Sequence, residues 1–178
     1  MKTSEARELF RQKAASFFEG YTVIWARQSR TPKPKVPLVM LTPGNVSRPK
    51  AANYSYVEGE PIGHYLSKIP IVVDLFTHGT PIMEEGEVVA YDNTAMDEIL
   101  CFADFINSQK TNDWCLANNI AFLTDTDAQD LTGVVNDTNY EYRARITINV
   151  YFTQDTDTTI GLENTGYFSD TSIQGGIL

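Results

Sequence analysis

The side chains able to do chemistry are few and scattered in this 178-residue chain. Its two histidines, His64 and His78, flank one β-rich stretch. The residues between them, at about 3.3 Å each, would hold the two rings far apart along a straight strand. A shared metal or a histidine-centred nucleophile relay is therefore not expected. The nearest approach to a calcium loop is DTDAQDLTG, with Asp125, Asp127 and Asp130. An EF-hand loop needs glycine at its sixth position and glutamate at its twelfth, and here Asp130 and Asn136 stand there. This stretch reads as a solvated acidic loop, and so does DTDT at 155–158. The stretch MEEGE at 83–87 could pair carboxylates for acid–base work. Read as part of a flexible acidic loop over 78–91, with no apolar pocket residues nearby, it is a poor place to tune a pKa. The chain contains no C-x-x-C, H-E-x-x-H, phosphate loop or G-x-S-x-G. No catalytic residue, metal or cofactor is expected, and the protein is not read as an enzyme.

Composition bounds the fold class. The length suits one domain, or one domain with an arm, with a core burying roughly 70% of the unfolded surface. Hydrophobic residues make up 42% and charged residues 21%, an ordinary globular balance. No apolar run approaches the roughly 20 residues of a membrane span, and the N-terminal MKTSEARELFRQKAASFF has no signal-peptide pattern. The expectation is a soluble α+β protein made in the cytosol. Cys101 and Cys115, both in apolar helical surroundings, read as reduced, buried thiols.

Charge is divided unequally. Residues 1–50 carry 10 of the 14 Lys and Arg but 3 of the 23 Asp and Glu, a balance of +7, and residues 51–178 carry −16. A nucleic-acid arm, a chain that meets its own copies through opposite patches, or a simple accident of solvated segments would each produce this split. Stable grip on duplex DNA is disfavoured by the net charge of −9 and by the scattering of basic residues among apolar ones.

The elements follow from periodicity. Ala6, Leu9, Phe10, Ala14, Phe17 and Phe18 form one face of a helix over 3–19, capped by Thr3 or Ser4 and stopped by Gly20. YTVIWA (21–26) and LVMLT (38–42) read as strands. Between them Pro32, Pro34 and Pro37 fix φ and remove donors, making a stiff extended connector. YSYV (54–57) suits a short strand. HYLSKIPIVVDLFT (64–77) is apolar on both faces, the pattern of a central strand with both faces covered, and Pro70 implies a bulge or an unpaired stretch. A second helix over 94–108 has the stripe Ala95, Ile99, Phe102, Ala103 and Ile106, with Thr94 and Asp97 resembling a capping box. DWCLANN (113–119) suits a short helix or turn, IAFLT (120–124) a strand, and AQDLTGVVND (128–137) a strand ending in a turn. In 141–154, Tyr142, Ala144, Ile146, Ile148, Val150 and Phe152 alternate with Arg143, Arg145, Thr147 and Asn149, a long antiparallel strand with one wet or interface-facing side. Trp25 and Trp114 read as core or interface aromatics. Residues 1–154 make the domain, and 155–178, rich in Thr, Asp and Gly, a C-terminal arm or tail.

This order of elements, carried by Trp25, Gln28, Pro34, Pro37, Asp74 to Phe76, Asp130 to Thr132, Tyr151 and Gln154, resembles the phage neck and tail terminator proteins over residues 3–154. The resemblance implies a mainly antiparallel β-sheet flanked by an N-terminal and a central helix. It also implies a structural virion protein, assembled in the host cytoplasm as a ring, usually of six copies. The ring would sit between head-completion or connector proteins and the tail tube or sheath, ending tube growth without covalent chemistry. Genomic DNA would pass through its lumen unbound, past acidic walls that repel phosphate. Contact between unlike charged patches closes such rings when the rotation allows. On this reading the interface residues are Trp25, Gln28, Pro32, Pro34, Pro37, Arg143 and Arg145, the proline stretch losing little entropy when laid against a neighbour. The competing readings are another head-completion or tail-tube connector and, in a different class, a monomeric peptide- or ligand-binding module.

Overall fold

The protein is described by a computed structural model that covers residues 1–26, 35–57, 60–136 and 139–155. Gln28, Pro32, Pro34 and the C-terminal arm from 156 onward lie outside the described residues.

Helix α1 (Thr3–Phe17) opens the chain, and its entry is secured by Glu5, whose Oε2 accepts the Lys2 backbone N–H at 2.9 Å. The cap therefore lies one residue before Thr3. Gly20 follows the helix at φ 84°, a left-handed position that suits glycine. Strand β1 (Thr22–Trp25) pairs parallel with β2 (Leu38–Pro43). A parallel pair needs a crossover of about a dozen residues, and 12 residues separate Trp25 from Leu38. The described ends of the crossover are tied down, since Thr22 N–H donates to the Pro37 carbonyl at 3.2 Å and Ala26 N–H to the Leu41 carbonyl at 2.8 Å.

Strand β4 (Glu60–Thr77) is the spine of the sheet. One edge pairs with β2 and, further along, with β3 (Asn53–Val57). The other edge pairs from His64 to Thr77 with β10 (Asn139–Asp155). Beyond β10 lie β7 (Ile120–Thr124), β8 (Gln129–Asp130) and β9 (Gly133–Asn136). The sheet thus runs β1-β2-β4-β10-β7, mainly antiparallel, and the α+β class read from the sequence is the one observed.

Helix α2 (Ala95–Asn107) buries the predicted stripe Ala95, Ile99, Phe102, Ala103 and Ile106. Its start differs from the expected capping box. Asn93 Oδ1 accepts the Ala95 N–H at 3.1 Å, and the Thr94 hydroxyl donates to Glu98 Oε1 at 2.6 Å. Tyr21 Oη also donates to Glu98, tying the region just before β1 to α2. Helix α3 (Gln109–Ala117) is capped by the Ser108 hydroxyl, which accepts from Thr111 N–H. All three helices contribute to one core cluster on a single face of the sheet, where Ile69, Ile71, Val73 and Leu75 of β4 meet Ile146, Ile148 and Val150 of β10. Phe17, Phe18, Phe102 and Phe105 form an aromatic knot inside it, with ring centroids 4.8–6.5 Å apart.

Several expectations are corrected. Only one face of β4 carries helices among the described residues; its other face holds exposed Leu66, half-buried Lys68 and Val72, and buried Asp74 and Phe76. Pro70 causes no bulge against β10, where it pairs in register with Asn149. Its carbonyl accepts from Gly44 N–H at 2.7 Å. In an extended strand, N and O of one residue point the same way, so the missing donor faces the point where β2 ends. Cys115 is buried but Cys101 is exposed, because Cys101 falls on the outer side of α2, off the buried stripe.

The acidic loop expected at 78–91 is instead a hairpin of β5 (Thr80–Glu84) and β6 (Glu87–Asp92), a sheet of its own. Glu85 and Gly86, at φ 50° and 86°, make the two-residue turn that suits the twist of a hairpin. At its base Gly79 has φ 74°, and a Cβ there would lie 2.0 Å from the Asp92 carbonyl oxygen. Only glycine lets the chain turn out of β4 so close to the returning strand.

Candidate functional site

The sheet face away from the helices is where the charged residues of β10 meet those of β4. Register places Arg145 opposite Asp74 and Arg143 opposite Phe76. Asp74 is 2% exposed. Its Oδ1 accepts from Arg143 Nη2 at 2.7 Å and from Arg145 Nε at 2.8 Å, and its Oδ2 accepts from Arg145 Nη2 at 3.2 Å. The Arg143 guanidinium also lies 5.0 Å from the centroid of Phe76. Burying one carboxylate beneath two guanidiniums leaves an excess positive charge, and both arginine side chains remain about one-third exposed, at 29% and 36%. The predicted interface residues Arg143 and Arg145 are thus brought together, and what holds them is Asp74.

The other predicted interface residues are more dispersed. Trp25 is half-buried at the end of β1, with the Arg7 guanidinium 4.6 Å over its ring. Pro37 is half-buried just before β2, and the Val36–Pro37 peptide bond is cis. His78 Nε2 lies 3.0 Å from the neighbouring Val36 carbonyl oxygen.

One constellation went unread in the sequence. Ser55 Oγ lies 2.6 Å from His64 Nε2, and His64 Nδ1 lies 2.7 Å from Asp155 Oδ1. This is the hydrogen-bonding order of an acyl-transfer triad, assembled from β3, β4 and β10. Its surroundings do not suit that chemistry: the Asp155 side chain is 53% exposed and also sits 3.8 Å from the Met1 amino group. Oxyanion stabilisation gains its strength from a water-excluded, low-dielectric site. Here the chain of hydrogen bonds clips three strands and the N-terminus together, helped by the Met1 amine donating to the Thr153 carbonyl at 2.9 Å. His64 and His78 stand at opposite ends of β4, and among the described residues no group of three or more His, Cys, Asp or Glu is placed to hold a metal.

The acidic stretch after β7, which includes the short strand β8, is held by hydrogen bonds within itself and to β10. Asp130 Oδ1 accepts from Thr132 N–H at 2.9 Å, and the Thr132 hydroxyl and backbone together hold the Asp130 carboxyl below its ordinary range. Asp125 accepts from Asn149 Nδ2 at 2.5 Å.

A shallow groove between α1 and α3 is lined by Gln12, Lys13, Ser16, Phe105, Lys110 and Trp114. Lys13 is buried there, its ammonium 4.8 Å from the Phe105 ring centroid and 5.2 Å from that of Trp114. Desolvation lowers its pKa. On the inner side, burial raises the pKa of the Cys115 thiol, which keeps it protonated and unreactive. A maleimide at mildly alkaline pH should therefore modify the native chain once, on Cys101, and reach Cys115 only after denaturation. Mass spectrometry of intact and digested protein reads this directly, and prompt double labelling would show that the α3 region opens readily.

The hairpin of β5 and β6 projects from the far end of β4. Ile82 is 45% exposed, Met83 55%, Val88 48%, Val89 54% and Tyr91 51%. Glu84, Glu85 and Glu87 crowd its tip, and Glu84 pairs across the turn with Glu87.

A family model described as phage neck terminator protein matches residues 7–175 of the chain. No curated protein matches it.

Proposed function

Since the chain belongs to the phage neck terminator family, and is therefore a structural component of the virion neck, we propose that it assembles into a closed ring that ends the tail tube and presents a surface to the head connector. The family match, spanning nearly the whole chain, carries this reading. Two features of the molecule support it. The described chain presents charged and apolar surfaces rather than a water-excluded catalytic cleft. Its charge is also split, with +7 in residues 1–50 and −16 in the remainder, which suits a contact between unlike patches of identical copies. Copy number, taken as six, and the passage of DNA through an unreactive lumen belong to the same proposal, as do contacts with connector and tail-tube or sheath proteins.

Negative-stain images of the purified protein and of assembled particles test the ring. Closed rings of uniform diameter, together with antibody labelling at the collar, are expected. A monomer in solution combined with particles unlabelled at the collar would overturn the reading.

A further inference from the structure

We propose that the β5–β6 hairpin is the arm by which each copy docks onto the next, and that its seat is the basic, aromatic end of the neighbouring sheet around Arg48, Lys50, Tyr54 and Tyr56. The inference rests on the ring reading and gives it a specific joint.

The hairpin is built as an unpartnered element. It belongs to no larger sheet, and an isolated two-stranded hairpin is at best marginally stable in water. Register puts Pro81 opposite Tyr91 and Met83 opposite Val88, so one side of the ribbon is apolar, while Ile82 with Ala90 gives the other side apolar character as well. Every residue of both strands is exposed. Concentrated apolar exposure on a small projecting element marks a surface that another molecule covers. Its charge narrows the choice of cover. Glu84, Glu85, Glu87 and Asp92 lie in the two strands and their turn with no lysine or arginine among them, and no ion pair engages them among the described residues. Directly opposed like charges such as Glu84 and Glu87 destabilise a hairpin unless a cation comes from elsewhere.

The complement lies at the opposite end of the same strand. Residue 47 bridges to Lys68, and β3 pairs with the first residues of β4. That end exposes Arg48 and Lys50, with Arg48 stacked 3.5 Å over the Tyr65 ring, and leaves Tyr54 and Tyr56 at 67% and 74% exposure. Exposed tyrosines beside arginine are the composition of an interface centre. With 18 residues at about 3.3 Å each, β4 sets the acidic arm and the basic seat far apart. One copy therefore cannot satisfy itself. Contact between the two surfaces is head-to-tail, the kind that generates rings when the rotation closes.

The test is a reciprocal charge reversal at exposed residues outside the turn, comparing E84K/E87K with R48E/K50E. In E84K/E87K the arm loses its net negative charge and sets two lysines before a basic seat; in R48E/K50E both arm and seat are acidic. Each variant alone should fail to assemble, its half-assembly concentration rising about a hundredfold or more, because the attraction between an acidic arm and a basic seat is gone from every joint. Mixed one to one, the variants should recover rings of alternating copies, seen as restored mass in light scattering and as closed rings in negative stain. Circular dichroism and unfolding midpoints like those of the wild type confirm that the variants are folded. Wild-type rings that persist in both variants would overturn the docking and leave the ring reading standing. Loss of assembly in each variant without recovery on mixing would also overturn it, since the two surfaces would then be meeting something other than each other. A wild type that forms no ring would remove the ring reading itself, and this joint with it.

Discussion

Replacing Asp74 by alanine is expected to lower the free energy of unfolding by about 2–4 kcal/mol, somewhat less than the ~3–5 kcal/mol typical of breaking a fully buried ion pair. The carboxylate is 2% exposed and accepts from both guanidiniums, so its loss leaves two like charges side by side on one face of β10. Their partial exposure, 29% and 36%, lets water recover some of the loss and sets the lower figure. The cluster also predicts an asymmetry. Arg143→Met or Arg145→Met alone should cost little, because the remaining arginine still neutralises the acid. The double change should cost at least as much as Asp74→Ala, since it strands a buried carboxylate. Replacing all three with apolar residues of similar size should return stability close to that of the wild type. Urea unfolding followed by circular dichroism measures each variant, and an Asp74→Ala protein within about 0.5 kcal/mol of the wild type, the range of an ordinary surface substitution, would show that the cluster does not bind β4 to β10.

A loss of about 3–5 kcal/mol is expected for Phe102→Ala. Its ring is fully buried where α1 and α2 converge on the sheet, and it packs against Phe17, Phe18 and Phe105 at centroid distances of 5.4, 4.9 and 6.5 Å. Truncation removes the transfer energy of the ring and opens a cavity among side chains that are themselves large and rigid, so collapse is poor. Phe102→Leu fills most of the space and should cost clearly less. If the two variants were equally stable, the aromatic knot would be plastic, and the helices would be held by their other contacts.

Elements with a strong local period were legible in the sequence. The buried stripe of α2 and the alternation of β10 are each specified by neighbours three, four or two residues apart, and the structure buries those residues except half-buried Tyr142, while Asn149 on the polar side is buried as well. Pairing was not legible, because nothing local records it. Asp74 meets Arg143 and Arg145 only through the register of β4 on β10. Ser55, His64 and Asp155 converge only because β3 and β10 flank the same end of β4. The partners of His64 are set by strands on either side of it and not by its distance from His78. The β5–β6 hairpin was obscured by its glutamates, which read as a solvated loop. The dipeptide Glu85–Gly86 between short apolar runs was the available signal. Pro70 misled in the other direction, since a proline inside a strand is tolerated where its missing donor faces the end of a neighbour.

The placement of β10 beside β4 has a consequence for how the chain is made. The two strands at the heart of the sheet begin at residues 60 and 139, so the partner that closes the edge of β4 from His64 to Thr77 leaves the ribosome after most of the chain has already been synthesised. The β3–β4 and β5–β6 hairpins can form as soon as their own residues emerge, but the apolar margin of β4 must wait. Such late, non-local closure slows folding and leaves an edge open to wrong partners. A messenger truncated before codon 139 would thus yield a polypeptide destined for inclusion bodies rather than a smaller soluble domain.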